Sequence, residues 1–251
     1  MNKRLSHTIG ALTLAALVAL PAGAISAPPN AVKYRTSPPP SAELAYSIKA
    51  RQRGLVLEGS AMVRWKNAGR QFSVINETRS KLIGKILDTR SDGMIDEFGL
   101  APLNFNEKRF SKKPTATTFD RKQGTISFSS SEAVYPLTGG EQDRNSIVWQ
   151  LVSVARAAPT QFKPGSEWTF FVAGQRDAES WTFKVVKPER LSTPLGDLQT
   201  VQVRRLPPDG KGQQIDLWLA PQRDWYPVRL RFVDENGDYL EQTLERIARA
   251  S

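Results

Sequence analysis

The stretch EWTFFVAGQRDAESWTFKV, residues 167–185, alternates large apolar side chains with other residues on either side of a central Gly-Gln-Arg-Asp. A repeat of two belongs to a β-strand, whose successive side chains point to opposite faces. Trp168, Phe170 and Val172 therefore share one face of a first strand, and Trp181 and Phe183 share one face of a second. An even-length loop over 174–177 brings both sets to the same side, Trp168 opposite Phe183 and Phe170 opposite Trp181. The segment thus reads as a hairpin carrying an aromatic ladder.

The same argument extends outward. Val228, Leu230 and Phe232 have to face Leu240 and Leu244 across Glu235-Asn236-Gly237, which requires an odd-length loop. A three-residue turn with a left-handed Gly237 meets that requirement, although Asn-Gly alone would signal a two-residue turn. Period two also marks Leu44, Tyr46 and Ile48, then Leu55, Leu57, Val63 and Trp65. Further strands are expected near 72–78, 81–89, 103–110, 115–119, 125–128 and 134–137, with turns at Asn67-Ala68-Gly69, at Asp92-Gly93 and over 120–124. One segment has helical spacing instead. Ile147, Val148, Leu151, Val152 and Ala155 follow Asp143, a capping residue type, and Pro159 closes the run, which predicts a helix over 144–157. Its wide apolar stripe packs against or inside the sheet. Strands on both sides of a single helix, without a βαβ rhythm, define a mainly β fold, an antiparallel meander curled into an open or closed barrel around one helix.

Ahead of this domain, Lys3 and Arg4 precede an apolar run from Ile9 to Leu20 and the small residues Ala22-Gly23-Ala24. These are the three parts of a cleavable secretory signal over 1–24. The apolar run falls short of the roughly 20 residues a membrane span needs, so no transmembrane anchor is expected after processing. Without cysteine there is no lipoprotein attachment. Residues 25–40, with Pro28, Pro29, Pro38, Pro39 and Pro40 and few large apolar groups, read as a flexible Pro-rich leader. Residues 41–251 read as a single β-rich domain, long enough to be stabilised by its core. The expected location is the periplasm.

The only histidine, His7, leaves with the signal, and the chain contains no cysteine. The mature protein therefore has no Ser-His-Asp or Cys-His nucleophile system, no usual zinc ligand set, no haem or iron–sulfur ligation and no disulfide, so neither cofactor nor metal is expected. Asp234-Glu235-Asn236-Gly237-Asp238 has its glycine at the fourth position where a helix-loop-helix calcium loop needs it sixth, so it reads as a hairpin turn. Gly210-Lys211-Gly212 follows Pro207-Pro208 and reads as a loop, not a phosphate cradle. No Ser-x-x-Lys occurs. Carboxylate pairs remain: Glu141 with Asp143, or Asp177 with Glu179. Capping at a helix start and solvation at a hairpin tip explain both without catalysis.

The net charge is +10, including Lys3 and Arg4 of the signal. Such an excess favours anionic company, and export turns that from nucleic acid to phospholipid headgroups, lipopolysaccharide or acidic wall polymers. Arg229 and Arg231 project together from the strand face opposite Val228 and Phe232, with Arg204-Arg205 and Lys112-Lys113 adding charge elsewhere. Trp218, beside Asp216, falls on the outer side of its strand, where the helix or a neighbouring strand is expected to cover it.

Two longer stretches carry a resemblance. They are Leu191-Ser192-Thr193-Pro194-Leu195-Gly196-Asp197-Leu198-Gln199-Thr200-Val201, and Trp218-Leu219-Ala220-Pro221 followed by Tyr226-Pro227-Val228-Arg229-Leu230. There, and at Ala45-Tyr46-Ser47-Ile48 and the helix after Asp143, the chain resembles the exported bacterial family catalogued as domain of unknown function 3108. The resemblance implies an envelope location and a β-rich fold, and it brings no catalytic residues. The function expected from all of this is non-catalytic, the binding or maintenance of a hydrophobic or anionic envelope molecule such as a lipid, or of a partner protein. Candidate ligand-binding residues are Trp168, Phe170, Trp181 and Phe183 inside the sheet, Trp149 on the helix, and Arg229 and Arg231 at the rim. A helix that fills the sheet completely is the competing outcome. A carboxylate-based hydrolase acting on cell-wall or glycan material is the alternative function.

Overall fold

The computed structural model describes residues 31–207 and 213–249. The signal segment 1–24 and Gly210-Lys211-Gly212 lie outside the described residues. Fifteen strands form one sheet among the described residues. The first half holds β1 (Ala42–Gln52), β2 (Leu55–Asn67), β3 (Gln71–Ser80), β4 (Gly84–Asp96), β5 (Gly99–Arg109), β6 (Thr115–Asp120), β7 (Thr125–Phe128) and β8 (Ser131–Pro136). The two-residue β9 (Gln142–Asp143) leads into the helix α1 (Ser146–Ala157). The second half holds β10 (Glu167–Ala173), β11 (Ala178–Thr193), β12 (Gly196–Leu206), β13 (Gln214–Leu219), β14 (Pro227–Val233) and β15 (Tyr239–Arg249).

Spatial order is β8-β7-β6-β5-β4-β3-β2-β1-β15-β14-β13-β12-β11-β10-β9, so the halves are two meanders joined where β1 pairs antiparallel with β15. The pairing of β9 with β10 is parallel. The sheet curls without closing its hydrogen-bond ladder. Closure is by packing: Phe171, Ala173 and Ala178 join Phe105, Phe119, Ile126, Phe128 and Tyr135 in a satellite core. Phe170 and Val172, which alternate with Phe171 and Ala173, belong to the main core. Hence β5–β8 overlap the outer face of β10.

Both argued hairpins have the expected register. Trp168 pairs with Phe183 and Phe170 with Trp181. Phe232 pairs with Leu240, Gly237 is left-handed at φ 79°, and Asp234 N–H donates to the Asp238 carbonyl at 2.9 Å to close a three-residue turn. Three local expectations change. Asp92-Gly93 is not a turn but a register shift inside β4, where a Cβ on Gly93 would overlap the Ala101 carbonyl and the Phe72 ring. Glycine here admits a close backbone approach and a bulge. The turn after this strand lies instead over 97–98, and residues 81–83, expected to open the strand near 81–89, form the turn before β4, which begins at Gly84. The helix starts at Ser146, and Asp143 serves it from outside, its carboxylate accepting N–H groups of Asn145 (2.7 Å) and Ser146 (2.8 Å).

Residues 31–40 follow a course that composition does not foresee. From Tyr34 to Pro40 they lie as a strap across the end of the barrel where β1 begins. Tyr34 packs edge-on against Trp168 and Phe170, and its hydroxyl both donates to the Thr169 carbonyl and accepts the Thr169 N–H. Ser37 bonds the helix through Ser153 O and Arg156 Nε. The Pro39 carbonyl accepts from Trp65 Nε1 at 3.0 Å, and the Pro40 carbonyl from the Tyr226 hydroxyl at 2.7 Å. Prolines cannot donate, but their carbonyls satisfy aromatic donors that the core buries.

Candidate functional site

In an antiparallel meander alternate connections fall at the same end. The strap, the 3-10 turn Pro221–Arg223 and the C-terminus of α1 share one end. The connections β1–β2, β3–β4, β5–β6, β10–β11 and β14–β15 share the other. The interior differs between the two. Toward the strap it is full: Trp149 stacks on Trp65 at 4.5 Å, and Phe162 stacks on Trp168 at 5.9 Å. Toward the other end α1 presents only its first turn, and a cavity of about 680 Å³ lies above it. Filled core and hollow pocket, posed as rivals by the sequence, occupy opposite halves of one barrel.

One wall is apolar, made by Trp181, Phe183, Ile215, Leu217, Leu230, Phe232 and Leu240 of β11 and β13–β15. The facing wall comes from β3–β5, where register sets Asn76 beside Thr89 and Thr89 beside Glu107. On this wall Asn76 Oδ1, Thr78 Oγ1 and Thr89 Oγ1 are buried without a hydrogen-bond partner among the described residues. Buried polar atoms without partners are uncommon, and three together call for an occupant or a solvent that satisfies them. Ile147 and Val148 of α1 form the floor.

Charge gathers at the mouth. Arg205, its side chain 9% exposed, lies over the Trp181 ring at 4.1 Å and donates to Glu179 at 2.7 Å, while its Nε has no partner. Burial pushes its pKa below the ordinary guanidinium value, against the attraction of Glu179, and the like charge of Arg144 acts in the same direction. Arg144 is exposed and also borders the cavity. Arg109 borders it too and is paired with Glu107, whose Oε1 also accepts from Gln175 at 2.6 Å.

The sequence-derived candidates divide accordingly. Trp181 and Phe183 line the cavity, whereas Trp168, Phe170 and Trp149 are packed in the filled half. Arg229 and Arg231 stand on the outer face of β14, joined to Glu241 at 3.7 and 3.4 Å and set near the rings of Trp218 and Tyr239. The guanidiniums that border the cavity are those of Arg109, Arg144 and Arg205. Trp218 is covered from neighbouring strands, its Nε1 bonded to Glu189 of β11 and its ring near Arg229. Glu141 and Asp143 are both buried: Glu141 accepts from Thr138 and Gly139, and Asp143 from the helix start and from Ser91. Asp177 is exposed at the hairpin tip, and Glu179 is committed to Trp181 Nε1 and Arg205. Among the described residues no group of three or more metal-ligating side chains is present, and no helix is long and apolar enough to cross a membrane.

A curled, open meander with a half-filled interior defines a β-barrel-like protein. Over residues 45–245 it matches the model for a protein of unknown function (DUF3108), and the chain belongs to that family. Among solved structures it is similar to a β-barrel-like protein of the domain of unknown function DUF1849 from Brucella abortus, with a TM-score of 0.57 at 13% identity, covering 86% of this chain and 100% of that one. A Bacteroides fragilis protein with a YmcC-like fold aligns at a TM-score of 0.38 and 11% identity over 86% of this chain and 100% of its own. A DUF1329 family protein from Desulfovibrio piger aligns at 0.31 and 7% over 84% and 86%. The first likeness is one of fold, and the other two are too distant to argue from. No protein of curated function matches.

Proposed function

We propose that this protein is a non-catalytic binding protein of the bacterial envelope, exported to the periplasm, whose cavity holds one apolar molecule bearing an anionic or polar group. The observation that carries the reading is the cavity's division of labour. An aromatic and aliphatic wall faces three unpartnered oxygens, and guanidiniums stand at the mouth. Its volume of about 680 Å³ falls inside the range of roughly 300–1,000 Å³ usual for small-molecule sites, which are mostly apolar with a few convergent polar groups. An acyl chain along the Trp181–Leu240 wall would remove apolar surface from water, while its headgroup meets Arg144 and Arg205 without entering the core. The excess of basic residues and the N-terminal signal fit an anionic envelope ligand. The hydrolase alternative gains nothing comparable, because Glu107 and Glu179, the carboxylates beside the cavity, are each held by an arginine and a second donor.

The test is organic extraction of the natively purified protein followed by mass spectrometry, with titration by the fluorescent fatty acid cis-parinaric acid. Wild type is expected to yield a co-purifying amphiphile and to bind the probe. Leu230→Trp, which places an indole in the cavity, and Arg205→Gln should each weaken probe binding about tenfold or more, the scale of one lost charge-assisted contact or a blocked apolar site. Absence of both the extracted molecule and probe binding in wild type would sink the reading.

A further inference from the structure

Three hairpin connections follow one another along the sheet at the cavity end: β1–β2, β3–β4 and β5–β6. Five of the seven large apolar side chains that stand exposed among the described residues sit there: Leu55 and Val56, Leu82 and Ile83, and Phe110. Single exposed apolar groups scattered over a surface need no explanation, whereas a concentration at one end does. Leu82 is 80% and Val56 75% exposed, which rules out a role in the core.

The same three tips are basic. The stretches RQRGLV (51–56), RSKLIGK (79–85) and KRFSKK (108–113) hold nine Lys and Arg residues and no Asp or Glu. Lys81, Lys85, Arg79 and Arg109 find carboxylates just inside the strands, at Glu58, Glu77 and Glu107. Arg51, Arg53, Lys108, Lys112 and Lys113 have no ion-pair partner among the described residues. The acidic β14–β15 turn, with Asp234, Glu235 and Asp238, bounds the face beside the β1–β2 tip, where Asp238 accepts the Arg53 N–H. Alternate connections of a meander stand about 10 Å apart. Each therefore offers a separate apolar prong ringed by cations in place of one continuous flat patch.

We infer that this end docks on a bilayer surface containing anionic phospholipid, with Leu55, Val56, Leu82, Ile83 and Phe110 entering the interface and the unpaired cations meeting headgroup phosphates. The charge sign selects the partner, since each Lys or Arg held near an anionic leaflet is attracted by its negative surface potential. Separate prongs suit a deformable headgroup layer, whereas a folded protein partner requires a broad complementary surface. The docking face is continuous with the cavity: Phe110 N–H donates to the Ile86 carbonyl at 2.8 Å, and Ile86 and Arg109 are themselves cavity wall. That docking serves to load or unload the cavity rests on the proposed function, but the docking does not.

The experiment is co-sedimentation of the protein with phosphatidylcholine vesicles made with and without phosphatidylglycerol. It compares wild type with the triple variant Leu82→Ser, Ile83→Ser, Phe110→Ser and the triple variant Arg53→Gln, Lys112→Gln, Lys113→Gln. None of these residues lines the cavity, so cis-parinaric acid binding and the urea midpoint should match wild type in both. Wild type is expected to pellet with the anionic vesicles, less so as salt rises. Each variant should bind about tenfold or more weakly, and neutral vesicles should bind little. Docking is overturned if wild type pellets with neither vesicle, or if the apolar variant pellets as wild type does. It is also overturned if sedimentation velocity without vesicles shows wild-type self-association that the variant loses, since the tips would then join two copies. Vesicle binding with neither probe binding nor an extracted amphiphile would support docking and sink the cavity reading.

Discussion

Asp143 takes its acidity from where the chain puts it. Its carboxylate is fully buried between β9 and the start of α1, accepts N–H groups of Asn145 and Ser146, and takes the Ser91 hydroxyl at 2.5 Å. Burial outweighs those hydrogen bonds and raises its pKa from 3.8 to about 6. A carboxyl whose folded value lies above its unfolded value binds more protons folded than unfolded between the two. Its contribution to stability is complete below about pH 4 and is lost as pH rises through 6. Asp143→Asn keeps an acceptor for the helix N–H groups but carries no charge to desolvate. The difference in unfolding free energy between wild type and this variant should shift in the variant's favour by up to a few kcal/mol from pH 4 to 7, at about 1.4 kcal/mol per pKa unit. Urea unfolding across that range is the measurement, and a pH-independent difference would disprove it. What a single residue does was legible where its role is local. Asp143 was readable as a helix-start residue, and Trp181 and Phe183 as inward aromatics, from spacing alone. Asn76, Thr78, Thr89, Arg144 and Arg205 were not, because their importance comes from facing a wall more than sixty residues away in the chain for most pairs, and no period in the sequence encodes which walls meet.

Elements show the same boundary between local and non-local information. The β10–β11 and β14–β15 hairpins could be placed in register because alternation on both arms and the parity of the loop determine which faces coincide. Asp92-Gly93 misled because a glycine that permits a turn also permits a backbone to pass close by, and only the neighbouring Phe72 and Ala101 distinguish the two uses. The strap depends on non-local information most of all. Its composition is that of a leader, yet the donors that order it, Trp65 Nε1, Asn67 Nδ2 and the Tyr226 hydroxyl, lie in distant strands. Burial pushes the Tyr226 hydroxyl pKa up to about 12, so it stays a protonated donor throughout the physiological range. A chain beginning at Ser41 leaves these groups unpaired and uncovers Trp168 and Phe170, which Tyr34 packs against. Each buried donor left unsatisfied costs about 1–3 kcal/mol. Relative to a chain beginning at Ala31, the shorter one should unfold at a markedly lower urea midpoint, its unfolding free energy reduced by several kcal/mol. Equal midpoints would show the strap to be a passive covering.

At the scale of the whole molecule, an open sheet that behaves as a barrel must have a seam, and the seam here is weaker than the rest. β1 and β15 are joined through ten paired residues in the middle of the sheet and carry Leu44, Tyr46 and Leu244 into the main core. β6–β8, in contrast, are strands of six, four and six residues at the far edge. They are held to β10 and its turn by the satellite core and by two hydrogen bonds, Thr117 Oγ1 to the Gly174 carbonyl (2.7 Å) and Ser130 Oγ to the Gln175 carbonyl (2.7 Å), and Gln175 Nε2 ties the adjoining β5 to the same turn through Glu107 (2.6 Å). Local opening free energies follow buried contact and ladder hydrogen bonds, so the short edge strands should open ahead of the centre. Hydrogen exchange followed by mass spectrometry is expected to show amides of 115–136 exchanging by local opening, while those of 42–50 and 240–247 exchange only with global unfolding. Thr117→Val with Ser130→Ala deletes two hydroxyls that reach across the seam and leaves the main core untouched. The pair should speed exchange in 115–136 by about one to two orders of magnitude, the effect of losing two hydrogen bonds worth about 1 kcal/mol each. Protection in β1 and β15 should not change. Because Glu107 belongs to both the seam and the cavity, saturating cis-parinaric acid should slow exchange in the same edge strands if it closes the mouth. Uniform exchange across both regions, in wild type and variant alike, would mean that the molecule unfolds as one unit and that the overlap at β10 is no seam.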